Sequence, residues 1–532
     1  MTDVLLAHSF FLRFDPKQWR TMQPYAPLGT LYAAAYLREH GYKVAVFDSM
    51  LASGASEIVA VLKQEQPRVV VFYEDSFNWL SKMCLTRMRV ACFEMMKLVR
   101  AQLGRETSII VAGSDATDHR EIYFGHGADY VLLGEGEVSL LELIDRLLGK
   151  STRALEQIAG VALPDNGVAR TTIPRGFQKD LDVFPFPAWN LLEVEKYRAA
   201  WKKKHGYYSV NLVTTRGCPF RCNWCAKPIY GDRYNSRSPE NVVEEMLWLR
   251  KNFQPDHIWF ADDIFGLKPG WLEKFGEAAQ AAKIATPFKI QARVDLLHEE
   301  AVVGLKKAGC KTVWVGAESG SQKILDAMDK GTTVEQIYAT AARLQRHGIE
   351  VCFFLQFGYP GETEEDIAKT IKMVRECEPH DIGISVSYPL PGTRFYERVK
   401  SEMGAKHNWE HSDDLALMFR GEYQPAFYRQ LHRVVHQEFR LQQAQALFAE
   451  MRRDPARLTV SNVRRVLAAT LRSPLRHWER ARLQRLKVPH HAAHLNDGES
   501  RAENATRNSP LEGSQGGVAR YREHNEEDVE KR

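Results

Sequence analysis

Through the first 150 positions, apolar residues arrive in short unbroken runs, and between the runs they recur every three or four residues. Runs at Val4–Ala7, 43–47, Val69–Tyr73, 109–112 and 130–133 read as strands buried on both faces. The stretches 28–40, 57–64, 85–103 and 138–147 carry the spacing of amphipathic helices. This alternation predicts an α/β domain over residues 1–148, a doubly wound parallel sheet with its ligand over the carboxyl ends of the strands. Many cofactors suit such a sheet, so the fold alone does not choose among them.

The pattern lapses between 149 and 206, which reads as a connector. It holds a short strand at 160–163 and the segment Phe184-Pro185-Phe186-Pro187-Ala188-Trp189, whose prolines forbid regular structure and fix a path between domains. A second alternation begins at 208. Strands are expected at 210–213, His257–Phe260, Phe288–Ala292, 312–315, 350–356 and 383–387, and helices at 239–251, 271–282, 299–308, 334–347 and 364–375. Six such units over 207–403 suit a barrel, whose chemistry sits at carboxyl strand ends. Residues 404–488 read as a small helical C-terminal region: a polar connector at 411–417, then helices at 428–453 and 460–471 capping the barrel mouth. Large apolar residues nearly vanish in 489–532, which is expected to be a disordered tail.

Composition narrows the class. A chain of 532 residues exceeds one ordinary core, and 44% hydrophobic with 26% charged residues is ordinary for a globular protein. No apolar run is long enough to span a bilayer, and Met1–His8 has no basic stretch ahead of an apolar core, so the expected location is cytoplasmic. The net charge of +5 does not argue for nucleic acid. Basic residues do gather after Arg429, among them Arg464, Arg465, Arg472, Arg476, Arg480, Arg482 and Arg485, as either a solvated helix face or a surface for anionic lipid headgroups.

The cysteines are more specific. Three of the eight, Cys218, Cys222 and Cys225, fall in Thr214-Thr215-Arg216-Gly217-Cys218-Pro219-Phe220-Arg221-Cys222-Asn223-Trp224-Cys225 at CxxxCxxC spacing. Three thiolates on a cuboidal [4Fe-4S] cluster leave one iron open for a small molecule. A structural zinc site would need a fourth ligand, and the nearest histidines, His205 and His257, are not at finger spacing. Cys84, Cys92, Cys310, Cys352 and Cys377 lie in apolar or helical contexts and read as buried bystanders.

This loop, with an aromatic residue before its last cysteine, resembles the signature of radical S-adenosylmethionine (SAM) enzymes. The resemblance runs from about Asp3 to Met403, and its first part resembles the subgroup with a cobalamin-binding domain ahead of a partial (βα)6 barrel. It implies three cofactors: a [4Fe-4S] cluster on the three cysteines, SAM on the open iron, and cobalamin. In the family, reductive cleavage of SAM gives a 5'-deoxyadenosyl radical. Asp262 and Asp263 would approach the SAM amino group, Arg293 its carboxylate and Glu318 its ribose, a structural pair of Arg293 with Asp295 or Asp263 being the competing reading. Two further strand-end loops, Phe357–Glu362 and Tyr388–Thr393, would shape the site. Turns at 27–29, 40–42 and 127–129, with Gly113, Ser114, Gly134, Glu135, Gly136 and strand-end Tyr73, would hold cobalamin. The DxHxxG motif that supplies an axial histidine in many cobalamin proteins is absent, and the nearest strand-end histidine, His119, is wrongly spaced. Loop 73–79 then becomes the candidate for the cobalt's lower face.

The resemblance implies methyl transfer to an unactivated carbon of a lipid, tetrapyrrole or natural product. The alternatives are an oxidative cyclase of the anaerobic Mg-protoporphyrin ester type and a non-catalytic cobalamin sensor, against which the intact cysteine loop argues. A methylthiotransferase would need three cysteines in 1–148, where there are two. The partners implied are a small-molecule or lipid substrate and an electron donor such as flavodoxin or ferredoxin, with room for peripheral membrane contact and none expected with nucleic acid.

Overall fold

The computed structural model describes residues 2–83 and 85–487. Cys84 and the tail expected from 489 onward lie outside the described residues.

Strands β1 (Val4–Ala7), β2 (Val44–Phe47), β3 (Val69–Tyr73), β4 (Ser108–Ala112) and β5 (Tyr130–Leu132) form a parallel sheet in the order β2-β1-β3-β4-β5. The central run Val69–Tyr73 is buried throughout, as its lack of polar residues requires. The segment expected as a connector extends this sheet. Strand β6 (Val161–Asp165) adds antiparallel to β5 and β7 (Val168–Thr171) antiparallel to β6, giving seven strands. Their two-residue turn is Asn166-Gly167, both at positive φ, the hairpin chemistry such a turn requires. Helix Val194–His205 then seats Trp201 in the core, its indole N–H donating to the Pro24 carbonyl at 2.7 Å.

The second sheet is wholly parallel. Strands β8 (Ser209–Leu212), β11 (His257–Phe260), β12 (Phe288–Ala292), β13 (Cys310–Glu318), β14 (Glu350–Phe357) and β15 (Asp381–Val386) follow one another in sequence order, a half-barrel. A short hairpin, β9 (Thr215–Arg216) with β10 (Asn235–Ser236), interrupts them. Helix starts are set locally: Ser238 caps Pro239–Phe253, and Thr333 with Gln336 forms a capping box before Val334–Arg346.

Residues 24–26 tie the sheets together: Asn211 donates to the Ala26 carbonyl at 2.8 Å, and Tyr25 bonds Ser209. The expected polar connector at 411–417 is in fact largely buried. Leu415 and Leu417 sit in the core, Asp15 accepts from the Ser412 amide and hydroxyl, both at 2.8 Å, and Arg20 pairs with Asp413. Ser412 and Asp413 face the N-terminal domain. Helices Pro425–Arg453 and Val460–Arg485 close the described chain, the second extending 14 residues past the expected end at 471. No helix among the described residues is long and apolar enough to cross a membrane.

Candidate functional site

The cysteine loop hangs from the β9–β10 neck immediately beyond the carboxyl end of β8. Gly217 starts it at φ 81°, where a Cβ would lie 2.1 Å from the Arg233 carbonyl oxygen, so no other residue fits. Lys227 braces the turn by donating to the carbonyls of Cys218 (3.0 Å) and Phe220 (2.6 Å). Asn223, between the second and third cysteines, anchors it to the rest of the barrel. Its amide nitrogen donates to the Ala327 carbonyl at 2.8 Å, its oxygen accepts from the Tyr359 hydroxyl at 2.9 Å, and its backbone bonds Met328 and Phe395.

All three thiols are free and partly exposed, and each lies within electrostatic reach of the others. Burial pushes the Cys225 thiol up to about 12, with the Asp263 charge adding, and burial also raises Cys218. Such thiols stay protonated until a metal takes the proton's place. Three soft donors on one braced loop, open on one side, fit an iron–sulfur cluster with a free corner.

Carboxyl strand ends surround the loop. After β12, Arg293 lies 3.7 Å from the Phe220 ring centroid and donates to the Cys222 sulfur at 3.7 Å. Its other nitrogens meet Asp295 in two parallel 3.0 Å bonds, so the structural pair and the approach to the cysteine coexist. After β13, Glu318 adopts φ 56° and bonds buried Lys330 at 2.7 Å, and the Lys330 charge reaches Cys222. Gly316 leaves room for this pair, since a Cβ there would meet both side chains at 2.6 Å.

The two aspartates after β11 divide. Asp262 turns inward: Oδ1 accepts from the amides of Thr214 (2.7 Å) and Thr215 (2.9 Å), and Oδ2 from the Thr214 hydroxyl (2.7 Å). Burial lifts its carboxyl to about 6. It shapes the loop entry, with both oxygens engaged by Thr214 and Thr215. Asp263 points the other way and pairs with Lys82 of the N-terminal domain. Burial would lower the Lys82 ammonium, but Asp263 more than offsets it, and the Cys225 and Cys218 thiols lie in its field.

Lys82 comes from the loop region after β3, so the carboxyl ends of the two sheets face each other. Phe77 of that loop stacks on Tyr230 of the cysteine hairpin at 5.4 Å. Arg216, two residues before Cys218, donates to both Glu135 and Glu137, the latter at 2.7 Å, in a buried triad. Tyr32, Phe77, Phe184 and Tyr230 line its guanidinium. Glu135 also accepts from the Gln178 amide at 2.7 Å, so both of its oxygens are engaged.

The remaining turns pack on the β3 loop. Gly113 at φ 151° would place a Cβ 2.8 Å from Glu74 Cβ, Gly136 would place one 2.8 Å from the Tyr73 hydroxyl, and Gly29 donates to Asp75 at 3.0 Å. Gly134 approaches the Ile229 carbonyl of the barrel. Two buried polar atoms here lack partners, Glu74 Oε1 and Ser114 Oγ. Unpaired buried groups are costly, and a ligand carrying amides around its rim, as cobalamin does, would satisfy them. Burial lifts Asp75 to about 6.

His119, at the end of the short helix Ser114–Asp118, lies 3.9 Å from Asp115. The sequence reading passed over His8, which directly follows β1. Its ring bonds Asp48 at 2.9 Å and Ser49 at 3.1 Å, so both nitrogens are engaged within the domain. Farther round the barrel, the Phe357–Glu362 loop buries Glu362, which accepts from the Gly358 amide at 2.6 Å while Oε1 has no partner. Burial pushes Glu362 up to about 8.

Comparison with known proteins agrees with this geometry. The family model described as the Radical SAM superfamily matches residues 212–374, and that described as the B12 binding domain matches 22–144. An uncharacterized methyltransferase of Pyrococcus horikoshii is 27% identical, over 72% of this chain and 80% of its own length. The anaerobic magnesium-protoporphyrin IX monomethyl ester cyclase of Rubrivivax gelatinosus is 28% identical, over 51% of this chain and 49% of its own. Among solved structures, the radical SAM methyltransferase TsrM of Kitasatospora setae, with cobalamin and a [4Fe-4S] cluster bound, superposes with a TM-score of 0.61 at 18% identity, covering 75% of each chain.

Proposed function

The chain carries a B12-binding domain and a Radical SAM domain, making it a radical SAM enzyme of the cobalamin-dependent kind, and we propose that it methylates an unactivated carbon of a lipid, tetrapyrrole or natural-product substrate. Supporting this is the direct contact of the two sets of strand ends through Lys82–Asp263 and Arg216–Glu135/Glu137. One substrate carbon must come within about 3–3.5 Å of the reacting atoms supplied by each half, and a rigid domain junction supplies that constraint.

When bound, the [4Fe-4S] cluster and SAM would supply a carbon radical and cobalamin the methyl group; the protein's part is orientation and exclusion of water. Cys218, Cys222 and Cys225 would hold the cluster, with Asn223 and Lys227 fixing the loop. Arg293 would receive the SAM carboxylate on the guanidinium edge nearest Cys222, and the Glu318–Lys330 pair would face the ribose. Asp263 would orient the amino group with Lys82 balancing its charge, while Asp262 acts only through the loop backbone. Glu74 and Ser114 would bind the amide rim of cobalamin and the Tyr73–Trp79 segment would line its site, with no histidine among the residues that would hold it. A one-electron donor such as flavodoxin or ferredoxin would serve the cluster.

Anaerobic protein loaded with iron, sulfide and cobalamin should form 5'-deoxyadenosine from SAM when reduced. Cys222→Ala should form none. The cob(II)alamin form should show no nitrogen superhyperfine splitting in electron paramagnetic resonance, unchanged in His119→Ala and His8→Ala. Splitting lost in either variant would overturn the axial assignment.

A further inference from the structure

Helix Val460–Arg485 presents an apolar stripe to solvent. Val460, Val463, Leu467, Leu471, Leu475 and Trp478 recur every three or four residues and so share one face. All six are exposed, Leu471 by 77% and Trp478 by 57%. The opposite side does the packing: Leu483 is buried, Gln430 donates to the Glu479 carbonyl at 3.0 Å, and Arg480 pairs with Glu438 on helix Pro425–Arg453. The exposed stripe therefore contributes nothing to the fold of the described residues.

Charge says what suits it. The helix has seven arginines and one glutamate, and that glutamate faces the packed side. Arg464, Arg465, Arg482 and Arg485 are exposed and form no ion pair among the described residues. Arg482 lies over the Trp478 ring at 5.5 Å, placing a cation beside an aromatic on the apolar face. Leu458, also exposed, leads into the stripe. A solvated helix would not spend six large apolar residues on its wet face. A protein-docking helix would not need this excess of unpaired cations.

We propose that helix Val460–Arg485 is an interfacial anchor that lies in the headgroup layer of an anionic bilayer, with its leucines and Trp478 among the acyl chains and its arginines on the phosphates. The chain is held to the surface without crossing it.

The test is co-sedimentation of the full cofactor-loaded chain with extruded vesicles of phosphatidylcholine alone, or with about one quarter phosphatidylglycerol. Partitioning should be roughly a hundredfold stronger onto the anionic vesicles, from three or four arginines at the surface, and should weaken with added salt. The triple variant Leu467→Glu/Leu471→Glu/Leu475→Glu should lose binding while keeping its iron content and unfolding temperature, since these side chains touch solvent. Arg464→Gln/Arg465→Gln/Arg482→Gln should bind both vesicles alike. The proposal is overturned by equal binding of the wild type to both vesicles, by no binding, or by triple-variant binding like the wild type. It is equally overturned by a dimer in sedimentation velocity that the leucine variant dissolves, or by tight RNA binding in place of vesicle binding.

Discussion

Among single residues, Arg216 forms a buried ion triad across the domain junction that was not legible in the sequence. Its desolvated guanidinium is balanced by two carboxylates far away in sequence, and no local pattern announces such pairing. Arg216→Ala would strand Glu135 and Glu137 as buried uncompensated charges, a loss of about 3–5 kcal/mol, read as a lower denaturation midpoint of the apo-protein. Arg216→Lys should recover part of it. The cysteines stood at the other extreme, since their spacing is itself the signal. Cys218→Ala, Cys222→Ala or Cys225→Ala should each abolish binding of about four irons per chain, whereas Cys310→Ala should not; stoichiometric zinc without charge-transfer absorption would contradict this. Glu362 offers a pH test. Its folded value, about 8, exceeds the ordinary 4.5, so the native state binds an extra proton between those values. Stability present at low pH is therefore lost as pH rises through that window. Glu362→Gln should become the more stable protein toward pH 9, with its melting temperature flatter between pH 6 and 9 than that of the wild type.

At the scale of elements, strands with no polar residue and helices with three-to-four spacing were readable because burial imposes those patterns directly. The six strands of the half-barrel and the five of the first parallel sheet fell where expected. The strand expected at 160–163 is β6, but its hairpin partner β7 was missed although Asn166-Gly167 marked the turn, because a mostly exposed edge strand has a weak apolar signature. The 411–417 segment misled for the opposite reason: Ser412 is buried against Asp15, and Leu415 and Leu417 join the core. Asn223 shows the same limit within the site: one side chain bonds elements more than 100 residues apart, which periodicity cannot reveal. Asn223→Ala should remove its bonds to the Ala327 carbonyl and the Tyr359 hydroxyl, which keep each other at 2.8 Å, costing about 0.5–1.5 kcal/mol per bond lost. The resulting looser loop should lower cluster occupancy after reconstitution, measured as iron per chain, while far-ultraviolet circular dichroism stays unchanged.

For the whole molecule, two sheets with unrelated orders aim their carboxyl strand ends at one another, and the junction is built from charges and aromatics of both. The cysteine loop, Arg293 and the Glu318–Lys330 pair stand on one side, with the unpaired Glu74 and Ser114 atoms on the other. The residues that enforce this facing, Lys82 with Asp263 and Arg216 with its glutamates, came from the fold. The most direct test is anaerobic incubation of the loaded enzyme, a reductant and deuteromethyl-SAM with extract of a strain lacking the gene, followed by mass spectrometry. The account predicts a new metabolite carrying the labelled methyl, made together with 5'-deoxyadenosine, and absent when either cobalamin or Cys222 is removed. A new product that gains a ring or a hydroxyl without label would contradict it and assign the chain to oxidative cyclisation.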